Sequence, residues 1–304
     1  MRQSFTAARR ARGFSLIELM VSITIGFAVV GALLTAYLAA ARSGRNSQAM
    51  AQISEDANTA LGLLRQQVSM AGTQVPNGVQ GSGAFSNADN NTESAIFGCD
   101  GGTGPSGGTT AAINALGGCA GAGGTGPDFL AVAYQIDVVA GAGGRFLSNS
   151  VMNGANVPYD CIGNAIAATP GTGTYYADSH FYIGQPANSA RKALYCAQGG
   201  SAAAGQPIAE NVIDLQVRYL MAAAPDRKSP AVYYATQPGP APGPATIWAN
   251  TVGVQLCIEV VSADRVVDNT ISYQYMDCSN TLRTPTDGLL HRAFTSTVML
   301  QNKL

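Results

Sequence analysis

The sequence predicts an α+β fold, in which one long N-terminal helix packs on a mostly antiparallel β-sheet. Three observations lead there. Residues 14–41 are predominantly apolar, with Glu18 as their only charge. An apolar stripe at helical spacing then continues to about Met70. Beyond it come short runs that alternate apolar with polar residues, the period-2 signature of half-buried strands. A helix followed by mostly local strands is the order of an α+β chain, whereas βαβ units would interleave the two.

The apolar segment FSLIELMVSITIGFAVVGALLTAYLAAA would be about 42 Å long as a helix, enough to span a bilayer. Arg2, Arg9, Arg10 and Arg12 precede it, with no acidic residue among them. By the positive-inside rule that cluster stays in the cytoplasm and the remainder crosses. A secretory signal would have a shorter apolar stretch ending at a small-residue cleavage site. Glu18 is the residue a plain signal anchor leaves unexplained. A carboxylate inside a transmembrane helix costs about 2.5–3.5 kcal/mol or more, and its default reading is a functional group with a partner.

The contiguous run Gly13-Phe14-Ser15-Leu16-Ile17-Glu18-Leu19-Met20, placed directly after the basic leader, resembles the processing motif of type IV prepilins. The resemblance implies cleavage by a membrane peptidase between Gly13 and Phe14, N-methylation of Phe14, and an assembly role for Glu18. Cleavage would create an α-amino cation at Phe14, which in an apolar bundle seeks an anion. Glu18 of a neighbouring subunit could supply it and set the stagger between helices.

The stripe beyond the apolar segment comprises Met50, Ile53, Ala57, Ala60 or Leu61, Leu64 and Val68. Arg45, Gln48, Gln52, Glu55, Asp56, Arg65 and Gln66 lie largely between them, which makes this half amphipathic. Gly72 and Pro76 mark its end. The helix should run from Phe14 to about Met70, with Gly26, Gly31, Gly44 and Gly62 as positions for a bend. Its apolar half reads as membrane anchor and filament core, and its amphipathic half as the base of the globular part. The implied organisation is a cleaved cytoplasmic leader (1–13), a transmembrane half-helix (14–41), an amphipathic half-helix (42–72) and a β-rich domain (73–304).

Within that domain, residues 77–127 are rich in Gly, Asn, Ser and Thr and read as a long loop region. Strand-like runs follow at 128–139, 175–183, 192–196, 212–221, 252–260, 270–276 and 293–300. On 212–221, Ile213, Leu215, Val217, Tyr219 and Met221 share one face; Val252, Val254, Leu256, Ile258 and Val260 form another. Residues 222–245 hold six prolines and read as a loop that interrupts the sheet.

Six cysteines, none in a CxxC pair or at metal-ligand spacing with His, lie beyond the membrane segment. That usage fits disulfides in an oxidising compartment. Six cysteines admit 15 connectivities. Sequential pairing is the expectation: Cys99 with Cys119, Cys161 with Cys196, and Cys257 with Cys278, the last across a turn at 264–269.

The form GFSLIELMVSITIG, the length of 304 residues and the C-terminal run HRAFTSTVMLQN resemble the PilW-type minor pilins. Cys278 lies well short of the C-terminus, unlike the terminal disulfide loop common in major pilins. The resemblance implies a non-enzymatic subunit that helps initiate or cap a type IV pilus. Its implied partners are other minor and major pilins, a prepilin peptidase and the inner-membrane assembly platform. The alternatives are a minor pseudopilin of a type II secretion system and a filament-tip adhesin. The implied location is the bacterial inner membrane, with a cytoplasmic N-terminus and periplasmic domain, and then the pilus.

Other motifs carry little. Only 12% of residues are charged and 36 are Gly, a composition poor in charge for a cytosolic enzyme. Without the four leader arginines the chain has 13 basic against 18 acidic residues, which gives nucleic acid no footprint. Gly121-Ala-Gly123-Gly-Thr-Gly126 fits GxGxxG but follows a Gly-rich stretch and precedes a strand, the wrong context for a dinucleotide. Asp89-Asn90-Asn91-Thr92-Glu93 lacks the calcium-loop pattern, so no metal is expected. His180 and His291 have no evident Ser, Cys or ligand neighbour and read as surface or satisfied histidines. No cofactor is expected.

Overall fold

A computed structural model describes residues 15–73, 96–101, 104–105, 119–120, 126–136, 139–140, 146–147, 158–166, 175–186, 189–200, 204–222, 231–235, 251–267 and 272–300. The elements are α1 (Leu16–Met70), β1 (Ile96–Cys99), β2 (Gly104–Pro105), β3 (Cys119–Ala120), β4 (Phe129–Ile136), β5 (Val139–Ala140), β6 (Phe146–Leu147), β7 (Tyr175–Gly184) and β8 (Ala193–Gln198). They continue with β9 (Gln206–Glu210), β10 (Val212–Ala222), β11 (Ala231–Ala235), β12 (Thr251–Val261), β13 (Tyr275–Met276), β14 (Leu282–Arg283) and β15 (His291–Met299). The fold is α+β, with an apolar N-terminal helix and antiparallel sheets. The chain divides into two compact units, Met1–Gln48 and Ala49–Leu304.

The first unit is helical from Leu16. The Ser15 carbonyl accepts the N–H groups of Glu18 and Leu19 at 3.0 and 3.1 Å, closing the first turn. Helix assignment is unbroken through Gly26, Gly31, Gly44 and Gly62, so none of these glycines ends it.

In the second unit the amphipathic half of α1 buries Ala49, Ile53, Ala57, Ala60, Leu61, Leu64 and Val68. These positions recur at three- and four-residue steps, so one face meets the sheets and the other stays polar. Gly72, with φ 73, lets the chain turn out of the helix. Its N–H donates to the Ala133 carbonyl at 3.0 Å, and the Gln135 N–H donates to the Thr73 carbonyl at 2.9 Å. The helix end is thereby hydrogen-bonded to β4.

There are two main sheets where the sequence implied one. The first has the order β1-β4-β7-β8-β9 and the second β11-β10-β12-β15, and every pairing in them is antiparallel. Strand β4 is buried along its whole length, which explains its apolar run. The chain passes between the sheets at Asn211, a buried residue with φ 61. Asparagine tolerates that left-handed conformation better than most residues. Its side-chain amide donates to Asp56 of α1 at 3.3 Å, and its backbone carbonyl accepts the Val261 N–H at 2.9 Å. One residue therefore joins helix, corner and second sheet.

Several expectations change. A bulge at the start of β10, between Val212 and Asp214, puts Val212 in the core and leaves Ile213 half-buried. Run 128–139 ends as β4 at Ile136. Within 222–245 the segment Ala231–Ala235 is a strand, β11, paired with β10. Strands β1 and β9 were not foreseen, because four or five residues are too few to establish a period. Most of 77–127, the Asp89–Glu93 stretch and all of the GxGxxG stretch except Gly126 lie outside the described residues.

Candidate functional site

Sequence reasoning centres on the start of α1. Gly13 and Phe14 lie outside the described residues. Glu18 stands in the first helical turn, where a carboxylate complements the helix dipole. The segment around it is exposed: Leu16 is 76% and Phe27 74% accessible. An 18-residue window of the helix reaches a mean hydropathy of 2.2 with none of its surface buried by the protein itself. A helix that is apolar all round and uncovered requires lipid or other helices.

The small polar residues of this segment are internally satisfied. Ser22 Oγ donates to the Glu18 carbonyl at 2.7 Å, Thr24 Oγ1 to Val21 at 2.9 Å and Thr35 Oγ1 to Ala32 at 2.8 Å. Such back-bonding hides hydroxyls from an apolar surround. The Glu18 carboxylate is thus the one charged side chain between Ser15 and Ala41.

The cysteines are joined Cys99–Cys119, Cys161–Cys196 and Cys257–Cys278, with Cα separations of 5.4, 6.2 and 5.6 Å. The geometry of the last differs from a hairpin around 264–269. The antiparallel neighbours of β12 are β10 and β15, and Cys278 sits in the turn between β13 and β14. The disulfide fastens that small hairpin onto the outer face of the second sheet.

Both histidines are satisfied, as the sequence reading allowed, and their partners, which the sequence did not identify, are carboxylates. His180, fully buried, has Nε2 2.8 Å from Asp178 Oδ1. Ser179 lies between them in β7 and so points to the opposite face. His291 has Nδ1 2.9 Å from Glu259 Oε1 and Nε2 3.0 Å from Asp287 Oδ2. Burial works against its charge, but the two carboxylates outweigh it and hold the His291 pKa above its ordinary value. The Tyr275 hydroxyl also donates to Glu259, at 2.5 Å, and its ring stacks on His291. Burial and that carboxylate raise the Tyr275 pKa. The signal that could have revealed this cluster is Glu259 itself, a lone acid in the apolar strand TVGVQLCIEVV. The arrangement ties the segment after β12 to the sheet. Among the described residues no group of three His, Cys, Asp or Glu side chains is placed to hold a metal ion.

An uncovered apolar helix with a first-turn carboxylate, carried by a β-rich head, defines a type IV pilin-like protein. Residues 8–34 match the prokaryotic N-terminal methylation motif. Residues 180–302 match the family described as Type IV Pilus-assembly protein W. That match runs from His180, within β7, through β15 and includes both histidines. A type IV-like pilin from Thermus thermophilus is similar in structure at 12% identity and a TM-score of 0.37, over 83% of this chain and 99% of that one. No curated protein matches the chain.

Proposed function

We propose that this protein is a minor type IV pilin that helps initiate or cap pilus assembly. The observation that carries the proposal is the exposed apolar half of α1 with Glu18 as its single charge, directly after the Gly13–Phe14 motif. In this reading a prepilin peptidase cuts after Gly13 and methylates Phe14. The helix then leaves the inner membrane for a filament in which Glu18 of one subunit faces the Phe14 amine of another. The N-terminus begins in the cytoplasm and the disulfide-bonded domain in the periplasm, an oxidising compartment that suits three disulfides. Other pilins and the inner-membrane assembly platform are its partners.

The test is a count of surface pili by electron microscopy in a clean deletion strain and its complemented control. A sharp, complementable loss supports initiation. Normal pilus numbers with impaired exoprotein release would favour the second reading, a minor pseudopilin, whose N-terminal chemistry is the same.

A further inference from the structure

The outer face of the second sheet carries a polar cavity of about 280 Å³, outside the processing motif and the helix. Its floor follows from strand register. Arg218 of β10 lies opposite Gln255 of β12, and Gln216 opposite Cys257, which in turn lies opposite Thr295 of β15. These residues alternate with the core residues Leu215, Val217 and Leu256, so they face away from the helix. The Cys257–Cys278 disulfide holds the β13–β14 turn over this floor, and that turn contributes Asp277 and Asn280 as a wall.

The charges in the cavity are unequal in their commitments. Asp277 is already engaged: its carboxylate accepts Arg283 Nε at 2.7 Å and the N–H groups of Ser279 and Thr281 at 3.0 and 2.7 Å. Arg218, half-buried, has no hydrogen bond or ion pair among the described residues. A guanidinium held on a rigid strand, with neutral amide donors from Gln255 and Asn280 in the same cavity, is built for a planar monoanion, which it can bind through two parallel hydrogen bonds. A phosphate dianion would bring a second negative charge beside Asp277. The volume lies just below the range for drug-sized ligands, and suits one or two amino-acid side chains.

We propose that this cavity is a receptor for a carboxylate side chain, Asp or Glu, presented by a neighbouring filament subunit, with Arg218 as the binding cation. The identity of the occupant as a subunit rests on the pilin reading; the chemistry of the cavity does not. In a filament such a contact would let this protein select its neighbour through its head domain while the helices pack below.

Two measurements keep the parts separate. The first is saturation-transfer NMR on the full-length protein in detergent, with N-acetylglutamate methylamide and the matching glutamine compound as probes. The glutamate probe is expected to give the stronger signal, by about tenfold in apparent affinity as for a hydrogen bond to a charged group. Arg218→Gln should abolish that preference, and Arg265→Gln, at an exposed site, should keep it. Equal signals from the two probes, or an unchanged preference in Arg218→Gln, would overturn the carboxylate site whatever the protein's function. The second is a photocrosslinker at Thr297, beside the cavity on β15, in piliated cells. A crosslinked pilin peptide containing Asp or Glu, lost in Arg218→Gln, supports the subunit as occupant. A crosslinked peptide without a carboxylate, or a yield indifferent to Arg218→Gln, would refute it even if the NMR result holds.

Discussion

The Asp128 carboxylate accepts the Val217 N–H at 2.7 Å, and so fastens the entry to β4 in one sheet to β10 in the other. The second carboxylate oxygen accepts the Gly101 N–H at 2.9 Å, and the Asp128 N–H donates to the Leu215 carbonyl at 2.7 Å. The side chain is buried, next to Tyr219, whose hydroxyl packs so close to Gly98 that a Cβ there would collide with it. Burial pushes the Asp128 carboxyl up to about 7 despite the two amides that favour its anion.

Asp128→Ala should therefore leave two buried amides without an acceptor, at about 1–3 kcal/mol each, and lower the melting temperature of the detergent-solubilised protein clearly. The pH dependence has a definite sign. Between the unfolded value of 3.8 and the folded value of about 7 the folded state binds the extra proton, so this group makes stability fall as pH rises through that window. Asp128→Asn should remove that part of the slope. Identical slopes of melting temperature against pH in wild type and Asp128→Asn would contradict the assignment.

His291 acts at higher pH and elsewhere in the fold. Its folded pKa is raised above 6.5 by Glu259 and Asp287. Its contribution is fully present below the unfolded value and is lost as pH rises through the folded one. Protection of the amides at 272–290, relative to their intrinsic exchange rates, should thus fall above neutral pH in the wild type, and protection in β4 should not. His291→Gln should exchange quickly at both ends of the range. Protection at 272–290 that does not change with pH in the wild type would show that the imidazolium is not what holds this segment.

The Cys257–Cys278 link closes a span of 21 residues, worth about 3 kcal/mol in the chain-entropy account. Cys257→Ser with Cys278→Ser should lower stability by an amount of that order. The loss should appear first as rapid exchange in the β13–β14 turn, because the sheet beneath it is held independently by β10 and β15. Simultaneous loss of protection in β12 would mean that the disulfide supports the whole sheet.

The α+β class was legible because its signals are local: the long apolar run, the stripe from Ile53 to Val68, and the alternation in β10 and β12. What the sequence concealed is non-local. The corner at Asn211 depends on a contact with Asp56, far earlier in the chain, and a single asparagine between two strands gives no sign that they enter different sheets. Strand β11 was hidden by the prolines on either side of it. The turn bearing Cys278 lies over β12 rather than pairing with it, an arrangement that spacing alone cannot distinguish from a hairpin. The carboxylates beside His291 come from β12 and from the loop before β15, so no linear motif announces them. At the N-terminus the reverse holds: Gly13, Phe14 and Glu18 lie within one eight-residue run, and the role proposed for them is read from that run alone.

Glu18 yields the sharpest separation between processing and assembly. If the peptidase reads Gly13 and the residues around the cut, Glu18→Ala should be cleaved normally, and the mature N-terminus found by mass spectrometry should begin at methylated Phe14. Its defect should come later. In a helix bundle the Phe14 amine of the neighbouring subunit would lack its counter-ion, and leaving one partner of a buried pair alone costs on the order of 3–5 kcal/mol. The mutant should therefore accumulate in the membrane fraction and be depleted at least tenfold from sheared filaments. Glu18→Gln should behave like Glu18→Ala, because it keeps the shape and hydrogen-bonding capacity but not the charge. Incorporation of Glu18→Gln at the wild-type level would exclude charge pairing and leave packing as the role of this side chain. Failure of cleavage in both mutants would instead place Glu18 in peptidase recognition.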